Sequence, residues 1–236
     1  CKMNLFQTTA EKFLEGQMLL IEKPIGWSSF DVVKKIKYLI RKRYNLKKIK
    51  VGHAGTLDPL ASGLLIICTG KFTKKISKIQ EQRKIYTGII TLGGITPSFD
   101  LETEIEKNYN TDHISENLIK KTTMKFLGEI NQVPPIFSAL KKDGERLYKK
   151  ARRGEKIKIK SRKVTIYKFE SKLLHKVHIH FKIECSKGTY IRSVANDLGA
   201  ALNCGGYLSK LCRTDIGEFS LSNAITINSF ENYINN

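Results

Sequence analysis

The sequence predicts a mixed α/β (α+β) protein built on one large sheet, and three observations predict it. Val177, Ile179, Phe181 and Ile183 alternate with His178, His180, Lys182 and Glu184, the two-residue period of a half-buried strand. After Ser28 the apolar residues recur at helical spacing, with Phe30, Val33, Ile36 and Ile40 on one face. Strand-like and helix-like segments are interspersed from end to end, with no internal repeat and no linker, so a single domain over residues 1–236 is expected.

QMLLIEKP (17–24) reads as a buried strand stopped by a proline. SSFDVVKKIKYLIRKRY follows as the amphipathic helix, and Ser28 with Asp31 three residues later has the capping-box pattern. Leu64 to Cys68 is a short buried strand, and KKISKI a short helix. RKIYTGIITLGG (83–94) is a strand with Tyr86 near its start, and LGGITPSFD supplies turn chemistry after it. ISENLIKKTTMKFLG is a helix opened by Ser115. VPPIFSALKKDGERLY is a proline- and glycine-containing loop leading into a basic helix, and KVTIYKFESKLL and KVHIHFKIEC are antiparallel neighbours. Strand gives way to helix across SKGTYIRSVANDLGAALN. GYLSKLCRTDIGEFS is a last strand region before a short terminal helix.

Charge sets the class of partner. The chain carries 42 Lys and Arg against 22 Asp and Glu, a net charge of +20. Such a field favours a polyanion, and nucleic acid is the commonest one. A Lys-rich composition alone would spread this charge evenly, whereas RKRYNLKKIK (41–50) and KKDGERLYKKARRGEKIKIKSRK (141–163) concentrate it. No apolar run is long enough to span a membrane, and the first residues lack the apolar core of a secretory signal. Five cysteines without a CxxC pair suit reduced thiols, so a cytoplasmic location is expected.

Several site chemistries are unsupported. His178 and His180 lie on the polar face of a strand without a Cys or carboxylate cluster, and His113 and His175 add nothing, so no metal is expected. No GxxxxGK[ST] or GxGxxG follows a strand, which leaves nucleotide cofactors unsupported. Ser62, His53 and Asp58 do not form a nucleophile elbow. The stretch GHAGTLDPLASG (52–63) holds the chemistry that remains. Asp58 precedes Pro59, which biases it to extended backbone, and Leu57 and Leu60 suggest partial desolvation. Asp-Pro is also an ordinary turn, and local reading leaves turn and catalyst evenly matched. A buried carboxylate needs a cation, for which Arg192 in GTYIR is a candidate. Tyr86 and Tyr190 suit stacking on bases, worth about 1–3 kcal/mol per base, although tyrosines are common in strands. The residues by themselves reach a nucleic-acid-binding α/β protein with a carboxylate site, and no reaction.

Five segments in order, spanning residues 17 to about 217, resemble the TruB family of tRNA pseudouridine synthases. They are LLIEKPIGWSSFDVV, VGHAGTLDPLASGLLIICTGKFTK, RKIYTGIITLGGITPSFD, VPPIFSALKKDGERLYKKARRG, and CSKGTYIRSVANDLG with GGYLSKLCRT after it. The resemblance implies the pseudouridine synthase fold, with a large mixed, mostly antiparallel sheet flanked by helices and loops. It implies conversion of uridine 55 in the T loop of tRNA to pseudouridine without cofactor, on a flipped-out base. By the same resemblance Asp58 acts at the ribose, either attacking C1′ or removing the C2′ proton. Arg192 would pair with Asp58, Tyr86 would stack on the uracil, and Tyr190 would lie near C5. His53 would help open the T loop, Leu211 would line the pocket, and Lys23 and Pro24 would shape its floor. The basic runs would hold the tRNA backbone. Only FSLSNAITINSFENYINN follows the last motif, too short for the PUA-type domain that many members carry, which argues against a guide-RNA-dependent relative. LGGITPSFD departs from the family's usual acidic-threonine pattern, although Asp100 remains. A monomer without guide RNA is expected. The competing function is a tRNA-binding or folding chaperone with secondary or lost catalysis, and a DNA-binding protein has no helix-turn-helix or zinc-finger pattern to support it.

Overall fold

The structure is a computed structural model that describes residues 8–155 and 157–235. In chain order it contains α1 (Ala10–Glu15), β1 (Met18–Lys23), α2 (Ser29–Arg43), β2 (Val51–His53), β3 (Ala61–Thr69), a 3-10 helix at Gly70–Lys75, α3 (Ile76–Glu81), β4 (Lys84–Leu92), β5 (Gly94–Ile95) and β6 (Lys107–Asn108). Then come α4 (Glu116–Met124), β7 (Gly128–Gln132), the hairpin β8 (Lys141–Lys142) and β9 (Glu145–Arg146), α5 (Leu147–Arg152), β10 (Arg162–His175) and β11 (His178–Cys185). The chain closes with α6 (Ile191–Ala201), β12 (Gly206–Ile216), β13 (Phe219–Ser220), a short 3-10 turn and α7 (Ile227–Asn235). The strands are mixed and mostly antiparallel, as the resemblance implied.

The described chain divides into two compact units, one reaching Tyr86 and resuming at Leu211, the other running from Thr87 to Lys210. In the first unit β1 pairs antiparallel with β3, β2 also pairs with β3, and β3 runs parallel to β12 with Leu211 opposite Ala61. One cluster packs β1 and β3 against helices, bringing together Phe13, Leu19, Ile21, Val33, Ile36, Leu65, Ile67 and Phe230. The other face of the same strands buries Leu20, Leu64, Ile66, Ile79 and Ile216. Alternate residues of β1 and β3 thus serve opposite faces, and both faces are covered, which is why these strands read as nearly continuous apolar runs.

In the second unit β10 lies between β11 and β7, antiparallel to both. Ile179, Phe181 and Ile183 are fully buried, so the alternation along β11 holds. Thr91 on β4 bonds Ser209 on β12 at 2.8 Å, and its hydroxyl lies 3.1 Å from His178 Nδ1. That contact orders a strand-face histidine through a hydroxyl.

The helix after Ser28 begins as read. Ser28 Oγ accepts from Asp31 N–H at 3.1 Å, and Ser28 N–H donates to Asp31 Oδ2 at 3.1 Å. Its buried face differs from the expected one. Val32, Val33, Ile36, Leu39 and Ile40 are inside, while Phe30 is 61% exposed with Lys34 Nζ 4.8 Å from its ring centroid. Phe30 matches the helical period only approximately, and one residue of phase places it in the first turn facing out. Replacing Ser28 by alanine removes one orphan N–H's acceptor and half of the capping box. Urea unfolding is expected to show a loss of about 1 kcal/mol with an unchanged slope.

Candidate active site

Residues 54–60 connect β2 to β3 and carry Asp58, and three side chains of the first unit hold this connection by its backbone. Arg213, on β12 opposite Gly63, is 1% exposed. Its Nε donates to Leu64 O at 2.9 Å, and its terminal nitrogens reach Gly55 O at 3.1 Å and Thr56 O at 3.5 Å. Lys23, the last residue of β1, is fully buried and donates from Nζ to Pro24 O at 2.8 Å and Trp27 O at 2.6 Å, with Pro59 O at 3.5 Å. Ser29, in the first turn of α2, accepts from Leu57 N–H at 2.8 Å through Oγ, which lies 3.0 Å from Leu57 O. Gly26 N–H adds a bond to Pro59 O, and Ala61 N–H one to Asp58 O. Buried cations are tolerated here because loop carbonyls take the place of water around them.

The backbone path requires glycine at two points. Gly55 has φ of +114° and Gly63 of +108°. A Cβ on Gly63 would also stand 2.3 Å from Arg213 O, so the parallel approach of β12 to β3 excludes any side chain there. Between these points Asp58 is half-buried. Leu57 beside it is buried, whereas Leu60 is 40% exposed. Leu60 follows Pro59 in a turn that faces outward.

Burial pushes the Lys23 ammonium down to about 8. The Asp58 carboxylate opposes that shift and the Arg213 charge adds to it, so Asp58, Lys23 and Arg213 form one electrostatic group. His53, at the end of β2 and half-buried, is lowered from its ordinary value, chiefly by burial, against a backbone bond with Gly55 that raises it and with the Arg213 charge lowering it further. Its imidazole is therefore neutral at pH 7, with Nδ1 buried and without a hydrogen-bond partner among the described residues. Leu211 lies opposite Ala61, three residues from Asp58 in the chain. Tyr86 is 8% exposed on β4, and the neighbouring Ile85 O accepts from Thr214 of β12 at 3.3 Å. His53, Asp58, Tyr86 and Leu211 thus share the first unit. Arg213 and Ser29 had no place in the sequence reading beyond the quoted segments.

Tyr190 and Arg192 belong to the second unit. Tyr190 is the N-cap of α6, and its peptide is fixed by Gln132 of β7, which accepts its N–H at 2.8 Å and donates to its carbonyl at 3.1 Å. The Arg162 guanidinium lies 4.7 Å from its ring centroid. Arg192, 3% exposed, donates to Ser98 O at 3.2 Å and Phe137 O at 2.9 Å, and its Nε stands 3.6 Å from Asp100 Oδ2. Asp100 is itself held by Glu102 N–H at 2.9 Å. The carboxylate that Arg192 meets within its own unit is therefore Asp100. The basic segment 141–163 carries many ion pairs of its own, among them Arg153 with Glu145 and Glu155, Arg152 with Glu102, Lys150 with Asp143 and Lys163 with Glu129. Among the described residues no group of three His, Cys, Asp or Glu could hold a metal ion, and no helix is long and apolar enough to cross a membrane.

The TruB family pseudouridylate synthase (N-terminal domain) model matches residues 41–191. The chain is 59% identical over 224 residues to a tRNA pseudouridine synthase B of Flavobacterium johnsoniae, covering 94% of this chain and 98% of that one. A protein of the same name from Phocaeicola vulgatus is 47% identical over 222 residues, with 94% of each chain covered. Among solved structures, a Cbf5-Nop10-Gar1 complex contains a chain 27% identical with a TM-score of 0.68. The match takes in 97% of this chain and 59% of that one, so this chain spans about three-fifths of the solved chain. An H/ACA RNP bound to a substrate RNA containing 2′-deoxyuridine gives a TM-score of 0.67 at 25% identity, over 98% of this chain and 58% of that one.

The shared field around Asp58 has a direct readout. Lysine side-chain NMR is expected to find Lys23 titrating near pH 8, and lower in Asp58→Asn, where the opposing carboxylate is gone. The unfolded lysine, near 10.5, holds its proton across the window from about 8 to 10.5 in which the folded one has lost it. Lys23 therefore adds stability as pH rises through that window, which urea unfolding of wild type against Lys23→Met reads directly.

Proposed function

The chain belongs to the TruB family of pseudouridylate synthases, and on that footing we propose that it converts uridine 55 in the T loop of tRNA to pseudouridine. The observation that carries the reading is the 59% identity to a tRNA pseudouridine synthase B, over nearly the whole length of both chains. The held loop around Asp58 supports a site within the first unit.

The reaction is an isomerisation whose atoms balance without a cofactor. The N1–C1′ bond breaks, the uracil turns, C5 bonds to C1′, and the proton on C5 leaves to solvent while N1 gains one. Asp58 acts at the ribose, by attack on C1′ or by removal of the C2′ proton. An oxygen that must meet one carbon is best carried on backbone already fixed, because orienting it in advance removes that entropy from the barrier. Here the residue before Asp58 is pinned by Ser29, and the carbonyls at Gly55 and Pro59 face buried cations. Tyr86 stacks on the extruded uracil, and Leu211 lines the space it enters. A neutral His53 suits contact with the displaced bases of the opened loop, since it brings no charge to be neutralised. In the second unit Tyr190 serves the proton transfer at C5, on a peptide fixed by Gln132. Arg192 supplies positive charge to the reaction, and Asp100 with two carbonyls holds it in place. The chain works on tRNA as a monomer, without a guide RNA.

The test uses an unmodified tRNA transcript labelled with tritium at uracil C5. Wild-type protein is expected to release tritium in step with pseudouridine at position 55. Asp58→Asn is expected to lose at least about 1,000-fold in rate while still binding the transcript. Release from Asp58→Asn equal to wild type, or pseudouridine only at other positions, would overturn the assignment.

A further inference from the structure

We infer that Arg162 is a positioning residue for the reaction, holding the Tyr190 ring by its face in the orientation that proton transfer at C5 requires. The inference rests on the role given to Tyr190 above. Arg162 is the first residue of β10, and in the antiparallel ladder it stands opposite Gln132 of β7. Side chains directly opposite in such a ladder share one face of the sheet. Gln132 takes the Tyr190 peptide from both sides, through bonds of 2.8 Å and 3.1 Å. The Arg162 guanidinium lies over the Tyr190 ring, with Cζ 4.7 Å from the centroid. One cross-strand pair therefore grips both the backbone and the ring of the same residue.

Three features separate Arg162 from the other basic residues of its segment. It is seated against the turn that leads to Tyr190. Its Nη2 donates to Gly188 O, and a Cβ on Gly188 would stand 3.4 Å from Arg162 Cζ. That turn is itself tied to β10, since Ser186 N–H donates to Thr165 O at 2.8 Å and Thr165 N–H to Ser186 Oγ at 2.9 Å. Second, Arg162 makes no ion pair among the described residues, whereas Lys163 beside it pairs with Glu129, and Arg152 and Arg153 pair with acids. Third, its Nε is buried and has no hydrogen-bond partner among the described residues. A buried donor left open is costly, and few native side chains accept it. The guanidinium thus forgoes a hydrogen bond and keeps its contact with the ring, to which the ring's face attracts it.

Tyr190 needs such a hold. It is half-buried, and its described hydrogen bonds are those of its peptide, so no bond at the phenol oxygen fixes the direction of the ring. The chemistry depends on that direction. Once C5 has bonded to C1′, the C5 proton passes to the phenol oxygen as the phenol's own proton goes to water. The C–H electron pair re-forms the C5–C6 double bond, the electrons of the C6–N1 double bond move to N1, and N1 takes up a proton. The oxygen must stand within hydrogen-bond reach of that one proton, and small displacements lose much of the rate. A lysine at 162 would keep the charge without the planar face that lies on the ring.

The experiment compares wild type, Arg162→Lys, Arg162→Ala, Tyr190→Phe and the double variant Arg162→Lys/Tyr190→Phe, with thermal melting as the check on folding. Each is given tRNA transcripts carrying hydrogen or deuterium at uracil C5. Arg162→Lys is expected to lose about ten- to a hundredfold in rate at saturating tRNA. Its ratio of hydrogen to deuterium rates is expected to rise above that of wild type, because the C5 step slows relative to the others. In the Tyr190→Phe background the same substitution is expected to change the rate by less than about twofold, since the group it positions is gone. Where Arg162→Ala melts early, Arg162→Lys decides alone. Equal losses in the two backgrounds would show a merely structural role and overturn the inference, as would a wild-type isotope ratio in Arg162→Lys. Weakened binding with a full rate at saturating tRNA, the mark of a phosphate contact, would overturn it too. A slow Tyr190→Phe beside a full-rate Arg162→Lys sinks the inference alone, whereas a full-rate Tyr190→Phe sinks the role given to Tyr190 and the inference with it.

Discussion

The first unit depends on two buried cations bonded to backbone carbonyls. Arg213 and Lys23 have almost no exposure, and their described bonds go mainly to main-chain oxygens of the segments around Asp58. A hydrogen bond from a charged donor contributes about 1.5–3 kcal/mol, and a buried charge stripped of its partners costs several kcal/mol. Cation and loop therefore enforce each other. Moving the loop strands the charge, and removing the charge leaves carbonyls without donors. The parallel register of β12 on β3 brings Arg213 to this place, and Gly63 permits the close approach.

The second unit repeats the device with one change. Arg192 also spends its terminal nitrogens on carbonyls, those of Ser98 and Phe137, but adds a carboxylate at Asp100. A guanidinium suits both places because its planar fork offers several N–H groups in fixed directions, which a lysine cannot match. In each unit the groups proposed to meet the substrate sit on backbone that a second residue has already fixed, Asp58 after Leu57 and Ser29, Tyr190 on Gln132. Such sites tolerate polar burial that would otherwise destabilise a domain, since these supporting bonds are made before substrate arrives.

What could be read from the sequence divides by the range of the interaction that creates it. The capping box at Ser28 and the alternation along β11 were legible, because both arise between residues close in the chain. The candidate residues were legible too, through motifs, but their supports were not. Arg213 bonds carbonyls 149 to 158 positions away, and no local pattern announces that. β2 and β7 were missed for a related reason. GEINQ has no apolar alternation of its own and becomes a strand by pairing with Arg162–Ile166, while β2 is three residues long and exists by pairing with β3. The helical period alone puts Phe30 on the buried face, because a phase error of one position is invisible without the packing partner. The charge runs were legible as charge, yet which cations remain unpaired depends on acids that folding brings beside them.

Hydrogen exchange at the amides of residues 55–58, 60 and 61 tests most directly whether the buried cations hold the Asp58 loop. In Arg213→Lys the charge is kept and the fork is lost, so bonds to Gly55, Thr56 and Leu64 cannot all be made. Exchange in this loop should quicken by about tenfold or more, matching the loss of one charge-assisted bond, while α2 and α7 keep their protection. Equal loop exchange in wild type and Arg213→Lys would contradict the claim and place the source of the loop's order elsewhere.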